Sequence, residues 1–189
     1  MKSISLVLAL VFAVSANNVF GQKLKADPAK SQVKWTGNKV GGSHNGEVKL
    51  KSGELEIKGD QIVKGNFVID MTSIVNNDLE DKEYNQKLVR HLKSDDFFGV
   101  EKYPTSSLVV KKSTKFVNNK ATVTADLSIK GKTQEITFDV NRNNNVFTSK
   151  IEIDRSKYDV RYGSKSFFDN LGDKVIDDIF ILDVKLVCL

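Results

Sequence analysis

The stretch ADLSIKGKTQEITFDV, residues 125–140, decides the fold. Ala125, Leu127 and Ile129 alternate with Asp126 and Ser128, and Ile136, Phe138 and Val140 alternate with Thr137 and Asp139. A period of two places all the apolar side chains on one face of an extended chain. Lys130-Gly131-Lys132 between the two runs is a tight-turn signal. Two strands, each oily on one side and wet on the other and joined by so short a turn, pair antiparallel.

The same rhythm recurs in both directions along the chain. Val123 extends the first run. Upstream lie Val33 and Trp35, Val48 and Leu50, Leu55 and Ile57, and the set Val63, Phe67, Ile69 and Met71 with Gly65 among them. Downstream lie Phe147, Ile151 and Ile153, and then Phe180, Leu182, Val184 and Leu186. Ser52-Gly53, Gly59-Asp60, Asn118-Asn119 and Asn143-Asn144-Asn145 mark further turns between runs. The reading is all-β, with eight or nine antiparallel strands. A meander of this length with one apolar face curls on itself as a barrel or a sandwich.

Two segments break the alternation. In residues 78–98, Leu79, Leu88 and Leu92 recur near helical spacing, with Asp78 placed to cap the start and Asp81 in the first turn. Residues 161–174, RYGSKSFFDNLGDK, are too polar and glycine-rich for a strand and read as a loop with a short helical turn. In HLKSDDFFGVEKYP, residues 91–104, each residue has a structural use. Ser94 serves as an N-cap with Asp95 and Asp96 behind it, Phe97 and Phe98 turn inward as a plug, Gly99 ends the turn, and Tyr103-Pro104 enters the next strand extended.

Composition narrows the function. The chain has 189 residues, 29 basic and 24 acidic, for a net charge of +5 with the lysines dispersed. That pattern lacks the aromatic-interleaved basic surface of a nucleic-acid binder. Lys2 followed by the apolar run Ile4–Val14 and small residues up to Gly21 reads as a cleaved secretory signal, residues 1–21, too short to span a bilayer. It leaves a single domain, residues 22–189, that is periplasmic or secreted. The lone cysteine, Cys188, has no internal disulfide partner and reads as a small buried apolar residue.

Catalytic signatures are weak. Two histidines, His44 and His91, and one cysteine are too few for the usual metal cages, so no metal and no cofactor is expected. No Gly-x-Ser-x-Gly elbow occurs, and VGGSHNG, residues 40–46, lacks the lysine–serine ending of a phosphate loop. His44, between Gly42 and Gly46, reads as a turn residue or as a polar group at a cavity mouth. Asp154-Arg155, closing an apolar strand, reads as a capping ion pair or as a clamp on an anionic head group.

The sequence resembles the YceI-like family of polyisoprenoid-binding proteins. The resemblance rests on DPAKSQVKW (27–35), GNFVIDMTSI (65–74), HLKSDDFFGVEKYPT (91–105), ADLSIKGKTQEITFDV (125–140) and IEIDRSKYDV (151–160). It is closest to a secreted, Bacteroidetes-type subgroup sharing GSHNG and RYGSKSFFDNLGDK. The chain departs from the family where Lys30 precedes Ser31 in place of a histidine, and where Arg90 stands directly before His91 with no acid beside it.

The resemblance implies an extended, antiparallel, eight-stranded lipocalin-like barrel with a short helical insertion. It implies a long apolar tunnel for an isoprenoid or similar lipid, often a homodimer, and no catalytic machinery. The stripes then nominate Trp35, Phe67, Ile69, Leu127, Ile129, Phe138, Phe147, Ile151, Phe180 and Leu182 as the tunnel lining. His44, His91, Asp154, Arg155 and Arg161 are the candidates for a polar rim. The expected protein is a non-catalytic carrier that sequesters a long apolar lipid, without stable membrane insertion. Two alternatives stay open: an enzyme acting on a lipid, which requires the rim residues to converge, and a ligand-free envelope stress or interaction protein, which requires a solid interior.

Overall fold

A computed structural model describes residues 21–189. The expected signal peptide lies outside the described residues, apart from Gly21. The strands are β1 (Gln22–Lys25), β2 (Gln32–Lys39), β3 (Gly42–Lys58), β4 (Gln61–Asn76), β5 (Thr105–Ser113), β6 (Lys120–Ile129), β7 (Lys132–Asn143), β8 (Val146–Asp154) and β9 (Ile176–Val187). One helix, α1 (Lys82–Lys93), is inserted between β4 and β5. Every pairing is antiparallel, in the order β1-β3-β2-β9-β8-β7-β6-β5-β4, and β3 also pairs β4. That last pairing closes β2 to β9 into an eight-stranded barrel, with β1 as an extra strand on the far half of β3.

The 125–140 hairpin folds as the sequence reading expects. Leu127 faces Gln134 and Ile129 faces Lys132 across the turn. Lys130 and Gly131 both take positive φ, +50° and +72°, which matches the twist of a two-residue hairpin. Gly131 is further required because a Cβ there would lie 2.8 Å from the Tyr103 ring. Asn118 and Asn119 repeat the device at φ +50° and +65°.

Three local expectations are corrected. Ser52-Gly53 is not a turn: β3 runs straight through it to Lys58, with a bulge between Leu50 and Ser52 that lets Leu50 and Leu55 both point inward. Gly53 is there for packing, since a Cβ would lie 2.5 Å from the Phe67 ring. Val63 does not share the face of Phe67: it is the extra residue opposite Glu56–Ile57, so Ile62 is buried in its place. His44 lies in strand β3 opposite Gly37, not in a turn.

The helix starts one turn later than the sequence suggests. Asp81, not Asp78, is the N-cap and accepts from the Glu83 and Tyr84 amides at 2.9 and 3.0 Å. Ser94 is the C-cap of α1, not an N-cap, and its hydroxyl donates to the His91 carbonyl at 2.8 Å. The Ser94 carbonyl then accepts from the Phe97 and Gly99 amides, and Gly99 takes φ +57°, turning the chain so that Phe97 is buried. Residues 161–174 are the expected loop, with a single 3₁₀ turn at Gly172–Lys174. Another 3₁₀ turn, Arg155–Tyr158, follows β8.

Candidate functional site

The interior of the barrel is hollow. The cavity has about 240 Å³ of room for the centre of a water-sized sphere, many times the space that one water needs. All ten residues nominated as lining stand on its wall: Trp35 from β2, Phe67 and Ile69 from β4, Leu127 and Ile129 from β6, Phe138 from β7, Phe147 and Ile151 from β8, Phe180 and Leu182 from β9. Inward alternation on six strands produces that ring.

Other wall residues escaped the sequence reading for identifiable reasons. Ile62 was hidden by the β4 bulge. Leu108 and Val110 sit in SSLVVKK, where adjacent apolar residues obscure which face is inward. Leu92 reaches the wall from α1, and Phe97 and Phe98, which the sequence reading did turn inward, reach it from the turn behind. The two rings meet edge-on with centroids 5.1 Å apart, and Phe98 meets Phe180 at 6.4 Å. Together they stand at the α1 end of the wall. The opposite end is packed by Leu24, Ala26, Ile57 and Cys188. Burial pushes the Cys188 thiol up to about 11, which keeps it in the thiol form.

Polar side chains are sparse on this wall, and Arg155 is the one fully buried charge there, 2% exposed. Its guanidinium is fully engaged. It donates to the carbonyls of Val160 (2.8 Å), Tyr162 (2.9 Å), Ile176 (2.9 Å) and Asp177 (3.0 Å), and pairs with Asp178 at 3.4 Å. It also lies 5.5 Å from the centre of the Phe97 ring. Burial lowers its pKa, an effect that the nearby Asp178, Asp154 and Asp177 oppose. Arg155 therefore pins both roots of the 161–174 loop to the end of the barrel. Four of its five donors are spent on these carbonyls and the fifth faces Asp178, which leaves little to clamp a head group.

The other four rim candidates are elsewhere engaged. Asp154 caps the 3₁₀ turn, accepting from the Ser156 amide and hydroxyl at 3.0 and 2.6 Å. His44 Nδ1 lies 2.8 Å from Asp78, whose other oxygen accepts from the Asn45 amide at 2.7 Å. Burial opposes ionisation of Asp78, but the bonds from Asn45, His44 and Asn76 outweigh it and hold its pKa below the usual carboxylate value. His91 stands edge-on to Phe97 and Tyr162, with centroids at 5.7 and 4.3 Å. Arg161 is exposed, paired with Asp159 at 2.6 Å and stacked over Phe167. No hydrogen bond or ion pair joins any two of the five among the described residues, and only Arg155 reaches the cavity wall. Among those residues, no three His, Cys, Asp or Glu side chains come together as a metal cage.

An antiparallel barrel closes around an apolar hollow, and the one cation buried among the described residues is spent on backbone carbonyls. Residues 24–187 match the YceI-like domain, and the chain belongs to that family. Among solved structures it is similar to BcnA of Burkholderia cenocepacia: 25% identity, a TM-score of 0.68, and coverage of 86% of this chain and 98% of that one. It also resembles a polyisoprenoid binding domain from Saccharophagus degradans implicated in plant cell wall breakdown, at 16% identity and a TM-score of 0.59, covering 87% and 97%. Among curated proteins none matches the chain. No helix among the described residues is long and apolar enough to cross a membrane.

Proposed function

We propose that this protein is a non-catalytic carrier that sequesters one long apolar molecule, an isoprenoid or similar lipid, inside the barrel. The supporting observation is the cavity wall, where Trp35, Phe67, Ile69, Leu127, Ile129, Phe138, Phe147, Ile151, Phe180 and Leu182 meet. The Saccharophagus degradans domain of the same fold is described as polyisoprenoid binding, which favours this ligand class. The driving force is desolvation: each 100 Å² of lipid surface taken from water contributes roughly 2.5 kcal/mol. The family resemblance and the signal-like N-terminus extend the proposal to a periplasmic or secreted, Bacteroidetes-type protein acting in transport, with homodimer formation. An enzyme is disfavoured because the five rim candidates do not converge, and a ligand-free barrel because the interior is hollow.

Titration of delipidated protein with a C40 polyprenol in detergent-buffered solution tests the reading. The expected result is saturable 1:1 binding with a negative heat-capacity change, the mark of apolar burial. Absence of saturable binding across polyprenols, isoprenoid quinones and fatty acids overturns it.

A further inference from the structure

The barrel wall has one weak junction. β7 and β8 pair only at Asn141–Thr148, Arg142–Phe147 and Asn143–Val146, next to their own turn. The other junctions of the barrel run through six or more paired positions each. Continued in the same register, the ladder would join Asp139 to Lys150, Phe138 to Ile151, Thr137 to Glu152 and Ile136 to Ile153, and it joins none of them. The seam therefore extends about 15 Å at the usual rise per strand residue, from mid-barrel to the 3₁₀ turn.

Two side-chain ties span it. At its inner limit the Ser149 hydroxyl donates to the Asp139 carbonyl at 2.6 Å. At its outer limit Gln134 Nε2 donates to the Lys157 carbonyl at 3.2 Å. Between the ties, the flanking side chains are Ile136 and Phe138 on one side and Ile151 and Ile153 on the other, all members of one apolar cluster. Phe138 and Ile151 are also cavity wall. Parting the strands here leads straight into the hollow.

Both ends of the barrel carry packed or hydrogen-bonded groups. One is held by Leu92, Phe97 and the Arg155 network, and the other by the packed Leu24, Ala26, Ile57 and Cys188. Opening any other junction means breaking a ladder of backbone hydrogen bonds, whereas the seam asks for two side-chain bonds, with a third from Lys130 to the Asp159 carbonyl (3.2 Å) just beyond its outer limit, and a sliding of apolar side chains that an apolar ligand can replace.

We propose that the β7–β8 seam is the lateral gate through which the long apolar ligand enters and leaves. The proposal rests on the carrier reading above. The ligand's chain slips sideways between Phe138 and Ile151, its own surface standing in for the contacts it parts, and the seam closes behind it.

The test uses the full domain with Cys188→Ala, dansyl-labelled farnesol as the probe, and stopped-flow fluorescence. Thr137→Cys with Glu152→Cys places two exposed thiols opposite each other across the seam. A control pair, Lys150→Cys with Asp183→Cys, bridges the fully laddered β8–β9 junction. Bridging the seam, as a disulfide or with a short bis-maleimide, is expected to slow both uptake and release at least tenfold, with reduction of the disulfide restoring both and the control bridge changing neither. Independently, Ser149→Ala with Gln134→Ala removes both ties and is expected to speed uptake about threefold to thirtyfold. If the unbridged protein takes up no probe, the carrier reading fails. If it takes up the probe at a rate that neither the bridge nor removal of the ties alters, the carrier reading stands and the gate is refuted.

Discussion

Replacing Arg155 by methionine separates a structural role from a ligand-binding one. The methionine keeps most of the apolar stem but removes every donor. Four carbonyls, those of Val160, Tyr162, Ile176 and Asp177, lose their partner, and Asp178 loses its cation. Against this, the guanidinium no longer has to be desolvated at a site where it is 2% exposed. Removing one partner of a buried, hydrogen-bonded ion pair costs about 3–5 kcal/mol, most of it from the groups left behind. For a domain of this size, each kcal/mol moves the melting temperature by roughly 2–4 °C, so a fall of about 6–20 °C is expected. Thermal and urea unfolding followed by circular dichroism measure it. Faster proteolysis within residues 161–174 accompanies it, because both roots of that loop are pinned by this side chain. A melting temperature within about 3 °C of the parent, combined with a tenfold or larger loss of affinity for an anionic lipid only, would refute the reasoning and restore Arg155 as a head-group clamp.

Tyr158 gives the opposite expectation. Its hydroxyl is buried with no hydrogen-bond partner among the described residues, and its pKa is pushed up to about 12, chiefly by burial. Tyr158→Phe is expected to leave stability unchanged or raise it by up to ~2 kcal/mol, and a loss above ~1 kcal/mol in urea unfolding contradicts the assignment. Gly53→Ala drives a methyl group against Phe67, for a destabilisation of roughly 1–3 kcal/mol, and turns the ring into the hollow, so probe affinity falls as well. Stability declines in acid partly through Asp178. Burial opposes its ionisation, but Ser164, Ser166 and Arg155 outweigh this and hold the carboxyl below its ordinary value of 3.8. A lowered folded pKa contributes stability that is present above the unfolded value and is lost as pH falls through the folded one. Melting temperatures from about pH 5 down to pH 2 should therefore fall less steeply for Asp178→Asn than for the parent.

Alternation carried most of the architecture because a half-wet strand writes its inward face into the sequence, and the ten wall residues were all reached that way. It failed where the backbone changes step. The β4 bulge moved burial from Val63 to Ile62, and the β3 bulge carried a strand through the apparent turn at Ser52-Gly53. Bulges insert one residue without a compositional mark, so a face count continues past them unaware. The polar rim was read less well, since Asp, Arg and His serve caps and loop anchors as readily as ligands. Arg155 is the clearest case: four of its five donors find the carbonyls of Val160, Tyr162, Ile176 and Asp177, up to 22 positions away, a convergence that only the folded chain reveals. The open β7–β8 seam was invisible for a related reason. Both strands alternate well along their length, and pairing depends on where their backbones run rather than on either sequence alone.

The most direct examination of the carrier account is the mass of whatever accompanies the protein when it is isolated gently from its own cells and extracted with organic solvent. The account predicts one long-chain apolar compound per barrel, displaced in proportion when the cavity wall is filled by Leu127→Trp. A barrel that comes away empty from its cells and stays empty when offered polyprenols would contradict it.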